Sequence, residues 1–438
     1  MIAQDALARI GQASLTSRDG RVRRILPTYL EADGPAASRG AVCMVETRDG
    51  AGVLAEVVGV NAQSVVLTPF DPSPATFPGA RVSSWRDADH APVGDPFLGR
   101  VVDAFGRPLD GGAPVRASAF GSLAGRVAGP LERTAQAAPL ETGIRAIDTL
   151  LTLARGQRVG VFAPAGVGKT SLLSQMAKQI EADRVVICLV GERGREVEAL
   201  WSGLPASVRS RAVVVAATSD QAAAMRARAG SYALALAEHW RDAGRDVLLL
   251  LDSATRLAMA LRETGLAAGE PPTVRAYTPG VFAAIPRVVE RCGALKDGGA
   301  ISAIFTVLSE TEDVDDPISE LMKSILDGHI VLSRKLAEQS HFPAIDVTRS
   351  VSRLAREAAG PQARALAERA IERLSTYEQA RTLIETGVYL SGASPEIDAA
   401  IAVRPALTTF LRQRPDERVS AAIAFADLVQ ALGGDAHG

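Results

Sequence analysis

The segment Ala163-Pro164-Ala165-Gly166-Val167-Gly168-Lys169-Thr170 has the residue types and spacing to hold a chain of phosphates. Gly166 and Gly168 let successive backbone N–H groups turn inward, Lys169 supplies a point charge, and Thr170 offers a hydroxyl to Mg2+. The strict form of such a loop opens with glycine, and Ala163 is small enough for the same turn. An apolar run at 159–162 precedes the loop, and residues 171–180 read as a helix whose positive N-terminal end faces the phosphates. The bland alternative is an ordinary Gly-rich turn before a helix.

Phosphate binding becomes hydrolysis only with carboxylates in reach. Residues 247–251 form an apolar strand that ends in Asp252, which would hold Mg2+ through water beside the cradle. Glu192 follows the apolar run 185–190 inside Gly191-Glu192-Arg193-Gly194-Arg195-Glu196. There it would orient and polarise the water that attacks the terminal phosphate, since in-line displacement needs an acceptor on the far side of phosphorus. A solvated charged loop is the competing reading of Glu192 taken alone.

These groups need a scaffold, and 438 residues suggest two or three domains. With 47% hydrophobic and 22% charged residues the chain has ample material for cores. A net charge of −2 gives no global signal for nucleic acid or acidic lipid. Residues 1–19 carry a short amphipathic pattern at Ile2, Ala6, Leu7 and Ile10, which either docks a partner or frays. Residues 20–92 hold short β-rich segments at 41–47, 53–60, 64–68 and 80–84 among Gly and Pro turns, and are expected to form a small β-barrel. Residues 93–355 alternate strands at 158–162, 185–190, 212–217, 247–251 and 300–307 with helical stretches, including 220–243. That pattern predicts an α/β fold with a parallel sheet covered by helices on both faces. Residues 356–438 read as a helical domain with helices at 363–385, 395–403, 406–413 and 418–432. Cys43, Cys188 and Cys292 lie far apart, mostly in apolar runs, as buried core residues do. No basic leader or long apolar run is visible, so the chain is expected in the cytoplasm.

The blocks GERGREVEALW, LLLLDSATRLAMALRETGLAAGEPP, AYTPGVFAAIPRVVERCG and SILDGHIVLSRKLAEQSHFPAIDVTRSVSR resemble the ATPases of type III protein export, flagellar or virulence-associated. These are relatives of the ring subunits of rotary ATP synthases. LGRVVDAFGRPLDG and PLETGIRAIDTL extend the resemblance over almost the whole chain. It implies a RecA-like P-loop core that binds ATP and Mg2+ through Ala163, Pro164, Ala165, Gly166, Val167, Gly168, Lys169, Thr170 and Ser171, with Thr170 and Asp252 toward the metal. It further implies that Glu192 activates water, that Arg193 lies near the γ-phosphate, and that Arg353 enters the neighbouring subunit's site. For Arg353 the alternative is a surface or capping arginine. Phe342 matches an adenine-stacking aromatic, although an aromatic before proline is equally often core packing. Tyr389 is not assigned.

The implied function is ATP hydrolysis by a homohexameric ring that energises protein export, with a lean toward flagellar export from the cradle and the MALRETGLAAGEPP block. Implied partners are a stator-like regulatory subunit at the N-terminus, a central stalk and export chaperones at the helical C-terminus, and a membrane export gate. Contact with the inner membrane face would be peripheral, through partners. A proton-translocating rotary ATPase subunit shares the catalytic residues, and a non-catalytic ring subunit would lack Glu192. A nucleic-acid translocase would need stacking aromatics in a basic groove, where residues 20–92 offer only Tyr29, Phe70, Phe77 and Trp85, widely spaced.

Overall fold

Short strands with inward-facing Val, Leu and Cys close into a barrel at the start of the chain. The strands are β1 (Asp19–Ile25), β2 (Leu30–Ala32), β3 (Val42–Glu46), β4 (Gly52–Val60), β5 (Val65–Pro69) and β6 (Arg81–Ser84), in the order β1-β2-β5-β4-β3-β6. Val22, Leu30, Cys43, Val45, Val57, Leu67 and Val82 fill its interior. The computed structural model describes residues 19–72, 74–85, 90–134, 138–308 and 316–433. The expected N-terminal helix and the acidic residues Glu310, Glu312, Asp313 and Asp315 lie outside the described residues. β1 and β2 were not expected from the sequence: in DGRVRRI the three arginines mask the alternation that buries Val22. His90–Val93 leaves the barrel and pairs with Ala119–Ser122 instead.

The second unit is a mixed, mostly parallel sheet. Its main strands are β7 (Arg100–Val102), β8 (Arg158–Ala163), β9 (Arg184–Val190), β10 (Ala212–Ala217), β11 (Asp246–Asp252), β12 (Ala300–Leu308), β13 (Gly328–Leu332) and β14 (Ile345–Ser352). They run in the order β14-β13-β8-β12-β11-β9-β10-β7, parallel except for the antiparallel edge strand β14. Successive side chains point to opposite faces, so Val186, Cys188, Leu249 and Leu251 enter one core while Val185, Ile187, Leu248 and Leu250 enter the other. Helices cover both faces: α1 (Lys169–Gln179) lies on the second, and α2 (Ala223–Asp242) with α3 (Ala254–Ala267) on the first. All three cysteines are buried and free. Burial pushes the thiols up, to about 11 at Cys43 and about 12 at Cys292.

Three helices follow: α4 (Pro361–Glu385), α5 (Pro395–Leu411) and α6 (Ala421–Ala431). Leu374, Leu407, Phe410 and Leu428 pack them onto the face that carries α1. The sequence suggested a break near Pro405, yet α5 runs through it. Burial of Leu407, Phe410 and Leu411 beyond the proline outweighs the lost backbone hydrogen bond. Among the described residues no helix is long and apolar enough to cross a membrane.

Candidate functional site

Four neighbouring strands deliver the site from their carboxyl ends, the usual place for ligands in such a sheet. β8 ends at Ala163 beside Leu308 of β12, while Leu189 of β9 lies opposite Asp252, the last residue of β11. Residues 163–168 then turn into α1. Gly166 and Gly168 hold φ of 82° and 94°, in the left-handed region that a side chain resists. Gly168 is the residue before the helix, so the free N–H groups of the first turn open onto the loop. Thr170 and Ser171 are exposed there, whereas Ala163, Pro164 and Val167 are buried beneath.

Lys169 reaches across to the two carboxylates. Its Nζ pairs with Asp252 Oδ1 and stands 3.7 Å from Glu192 Oε1. Thr306, fully buried on β12, donates its hydroxyl to the same Asp252 oxygen at 2.6 Å. Arg256, in the first turn of α3, donates to the Gly191 carbonyl and brings Nε within 3.2 Å of Glu192 Oε1. Glu192 is 4% exposed, and its Oε1 has no hydrogen-bond partner among the described residues. Burial and the nearby Asp252 charge push the Glu192 carboxyl above the ordinary carboxylate range, against the pull of Lys169 and Arg256. A buried acceptor left open, held near cations, suits a water that must be oriented.

The structure also brings Phe342 to this place and keeps Arg353 away. A methyl group at Gly168 would lie 3.5 Å from Phe342 Cε1, so the ring rests against the phosphate loop, with 42% of the residue exposed. Arg193 is exposed directly after Glu192, at the start of the helix Gly194–Gly203. Arg353 follows β14, whose Ser352 lies opposite Gly328, itself opposite Val159 at the foot of β8. From Val159 to Ala163 the strand advances roughly 13 Å at about 3.3 Å per residue. Arg353 Nη2 donates instead to the Lys323 carbonyl at 3.1 Å. Tyr389 donates to Asp398 at 3.0 Å within the helical region.

The donors fit a hard cation bound together with phosphates. Mg2+ takes oxygen ligands and is usually held through one or two carboxylates plus substrate oxygens and water. The Thr170 hydroxyl and Asp252 supply that chemistry, and among the described residues there is no cluster of three or more His, Cys, Asp or Glu of the kind an all-protein cage requires. Sequence reasoning missed Arg256 and Thr306. Arg256 stands in the quoted block LLLLDSATRLAM, four residues after Asp252, while Thr306 looks like any β-branched strand residue.

Comparison with known proteins bears directly on this geometry. Residues 143–352 match the ATP synthase alpha/beta family, nucleotide-binding domain, and residues 359–430 match the T3SS EscN ATPase C-terminal domain. The chain is 43% identical over 420 residues to the flagellum-specific ATP synthase of Bacillus subtilis, covering 95% of this chain and 96% of that protein. It is 44% identical over 400 residues to the type 3 secretion system ATPase of Sinorhizobium fredii, covering 91% and 88% respectively. The assembled ATPase EscN from the enteropathogenic E. coli type III secretion system is similar with a TM-score of 0.90 at 38% identity, over 94% of this chain and 100% of that one. The same ATPase in complex with its central stalk EscO gives 0.86 at 38% identity, with the same coverage.

Proposed function

Because this chain belongs to the flagellum-specific and type III secretion ATPases, within the ATP synthase alpha/beta nucleotide-binding family, we propose that it hydrolyses ATP at sites completed between neighbouring subunits of a closed ring, a homohexamer. The observation that carries this reading is a separation within one chain. Lys169, Asp252 and Glu192 converge at one end of the sheet, while Arg353 stands at the other. Neither ATP synthesis nor ion transport is supported by the relatives, and the proton-translocating alternative is not favoured.

In this reading residues 163–171 wrap the phosphates, and Lys169 exchanges Asp252 for the terminal phosphates as ATP enters. Thr170 and Asp252 would hold Mg2+, which would supply charge compensation for the phosphate oxygens. Thr306 keeps the Asp252 carboxylate oriented once Lys169 has left. Glu192 accepts a hydrogen bond from the attacking water, and Arg256 holds that carboxylate against the Gly191 turn. Arg193 lies beside the terminal phosphate, and the neighbour's Arg353 meets the negative charge that develops on it. Phe342 stacks on adenine. Replacing Glu192 by Gln tests the assignment: ATP binding persists while turnover falls by about two to four orders of magnitude. Turnover within tenfold of the parent chain would remove Glu192 from the chemistry.

EscN has been solved with its central stalk EscO, and by analogy the helical region 356–438 is our candidate surface for a central stalk and for export chaperones. Residues 1–19 are our candidate for a stator-like regulatory subunit, with the barrel as the crown of the ring and the membrane export gate reached only through partners. No nucleic acid enters this scheme. Identities of 43% and 44% support flagellar and secretion relatives equally. Our lean toward flagellar export therefore rests on the sequence blocks, and filament assembly in a strain lacking the gene tests it.

A further inference from the structure

Gln413 sits in the turn after α5, 5% exposed, and every polar atom it carries on side chain and amide is engaged. Its Oε1 accepts from the Arg145 amide at 2.8 Å. Its Nε2 donates to the Gly143 carbonyl at 2.7 Å and the Glu417 carbonyl at 2.9 Å. Its own amide donates to the Phe342 carbonyl at 2.9 Å. A buried amide side chain with all its partners at good distance specifies one geometry, because losing any of them strands a polar group.

The same turn is tied to the far end of the phosphate-loop helix. Gln179, the last residue of α1, donates to the Glu417 carbonyl at 2.8 Å, and Arg145 reaches the Arg412 carbonyl at 3.1 Å. The connections close a circuit. Phe342 rests against Gly168 at the beginning of α1, its carbonyl is pinned by Gln413, and Gln413 is anchored through Glu417 to Gln179 at the end of α1. None of the Gln413 bonds goes to Lys169, Asp252 or Glu192, and the one to the Phe342 carbonyl is its direct link to the residues beside the phosphate loop.

We infer that Gln413 is a positioning residue for the nucleotide base: it fixes Phe342 over the phosphate loop from the helical region, and so sets affinity for the base while leaving the phosphate subsite alone. The inference rests on the reading of Phe342 as the base-stacking ring. Gln413→Met removes the side-chain hydrogen bonds at similar volume. Gln413→Glu keeps an acceptor for the Arg145 amide and loses both donations, which serves if the first variant does not fold.

The test compares equilibrium binding of ADP and of inorganic pyrophosphate to the full-length chain, with no turnover to complicate either. The expected result is an ADP Kd raised about fivefold to tenfold in the Gln413 variants, the size of one lost stacking contact, with pyrophosphate affinity unchanged. Phe342→Ala should give the same selective loss, and the double variant should be no worse than either alone. If Phe342→Ala leaves the ratio of the two affinities unchanged, the stacking reading fails and the inference falls with it. If Phe342→Ala weakens ADP selectively and the Gln413 variants do not, or if they weaken ADP and pyrophosphate alike, the positioning role of Gln413 alone is overturned.

Discussion

Two crippled chains should restore each other. Arg353 follows Ser352 at the foot of β14, and Ser352 lies level with Val159 across Gly328 of β13, while the phosphate loop leaves the head of β8. The gap of roughly 13 Å along the strand exceeds what an arginine side chain spans, and Arg353 is already bonded to the Lys323 carbonyl. A chain cannot then supply both Lys169 and Arg353 to one site. Lys169→Ala and Arg353→Ala should each lower turnover about a thousandfold, the usual effect of removing a phosphate-binding lysine or a trans arginine. In rings assembled from an equal mixture, an intact site needs an Arg353→Ala subunit on the lysine side and a Lys169→Ala subunit on the arginine side. Random assembly produces that pairing at about one interface in four, so the mixture should recover up to about a quarter of the parent rate. The assay is steady-state phosphate release from co-assembled chains, with differently tagged subunits co-purified to prove mixing. A mixture no more active than the average of the two variants, in rings shown to be mixed, would refute the shared site.

The remaining predictions concern single groups. Burial and Asp252 raise the Glu192 pKa above its ordinary value of 4.5, so the folded chain retains this proton at a pH where the unfolded chain has released it. Stability from this group is thus greatest when it is protonated and declines as pH rises above 4.5, while turnover, which needs the carboxylate, rises over the same span. The acid limb of kcat/KM against pH should shift if Arg256 is replaced by Gln; an unmoved limb contradicts the assignment. Thr306→Val is nearly isosteric, so its cost is the lost bond to a buried carboxylate, about 1.5–3 kcal/mol, seen as lower stability and a raised Mg2+ requirement, with Thr306→Ser restoring both. An Mg2+ titration identical to the parent chain's would remove Thr306 from the site. Deleting residues 1–13 should weaken binding of a stator-like partner and leave basal hydrolysis nearly intact; undiminished partner affinity would argue against that role.

The residues most legible in the sequence are those whose position depends on one chain segment. Lys169 and Thr170 follow a strand and open a helix, and Asp252 and Glu192 close or follow apolar runs, so local pattern alone puts each at a strand's carboxyl end. Thr306 and Gln413 are different, because their meaning comes only from what packs beside them. Thr306 matters because β12 lies between β8 and β11, an order that periodicity does not encode. Arg100–Val102 went unseen for a related reason: three residues carry no readable alternation, and only pairing with β10 makes them a strand.

The same limit explains the contrast between Phe342 and Arg353. They flank one strand, β14, and a sequence reader has no reason to give them opposite placements. Had β14 continued the parallel run, Arg353 would have emerged with the phosphate loop and Phe342 at the far end. Instead β14 pairs antiparallel with β13, with Ile345 beside Leu332 at the head of the sheet and Ser352 beside Gly328 at its foot. The reversal brings the aromatic to its own chain's phosphate loop and leaves the arginine at the opposite end of the sheet, where in the proposed ring a neighbouring subunit would use it. Edge strands are the ones free to reverse, since they have a single neighbour to satisfy. The inter-subunit character of the proposed site therefore originates in the direction of one edge strand. Any variant that keeps Arg353 directly after Ser352 and β14 antiparallel to β13 should leave that arginine unavailable in cis.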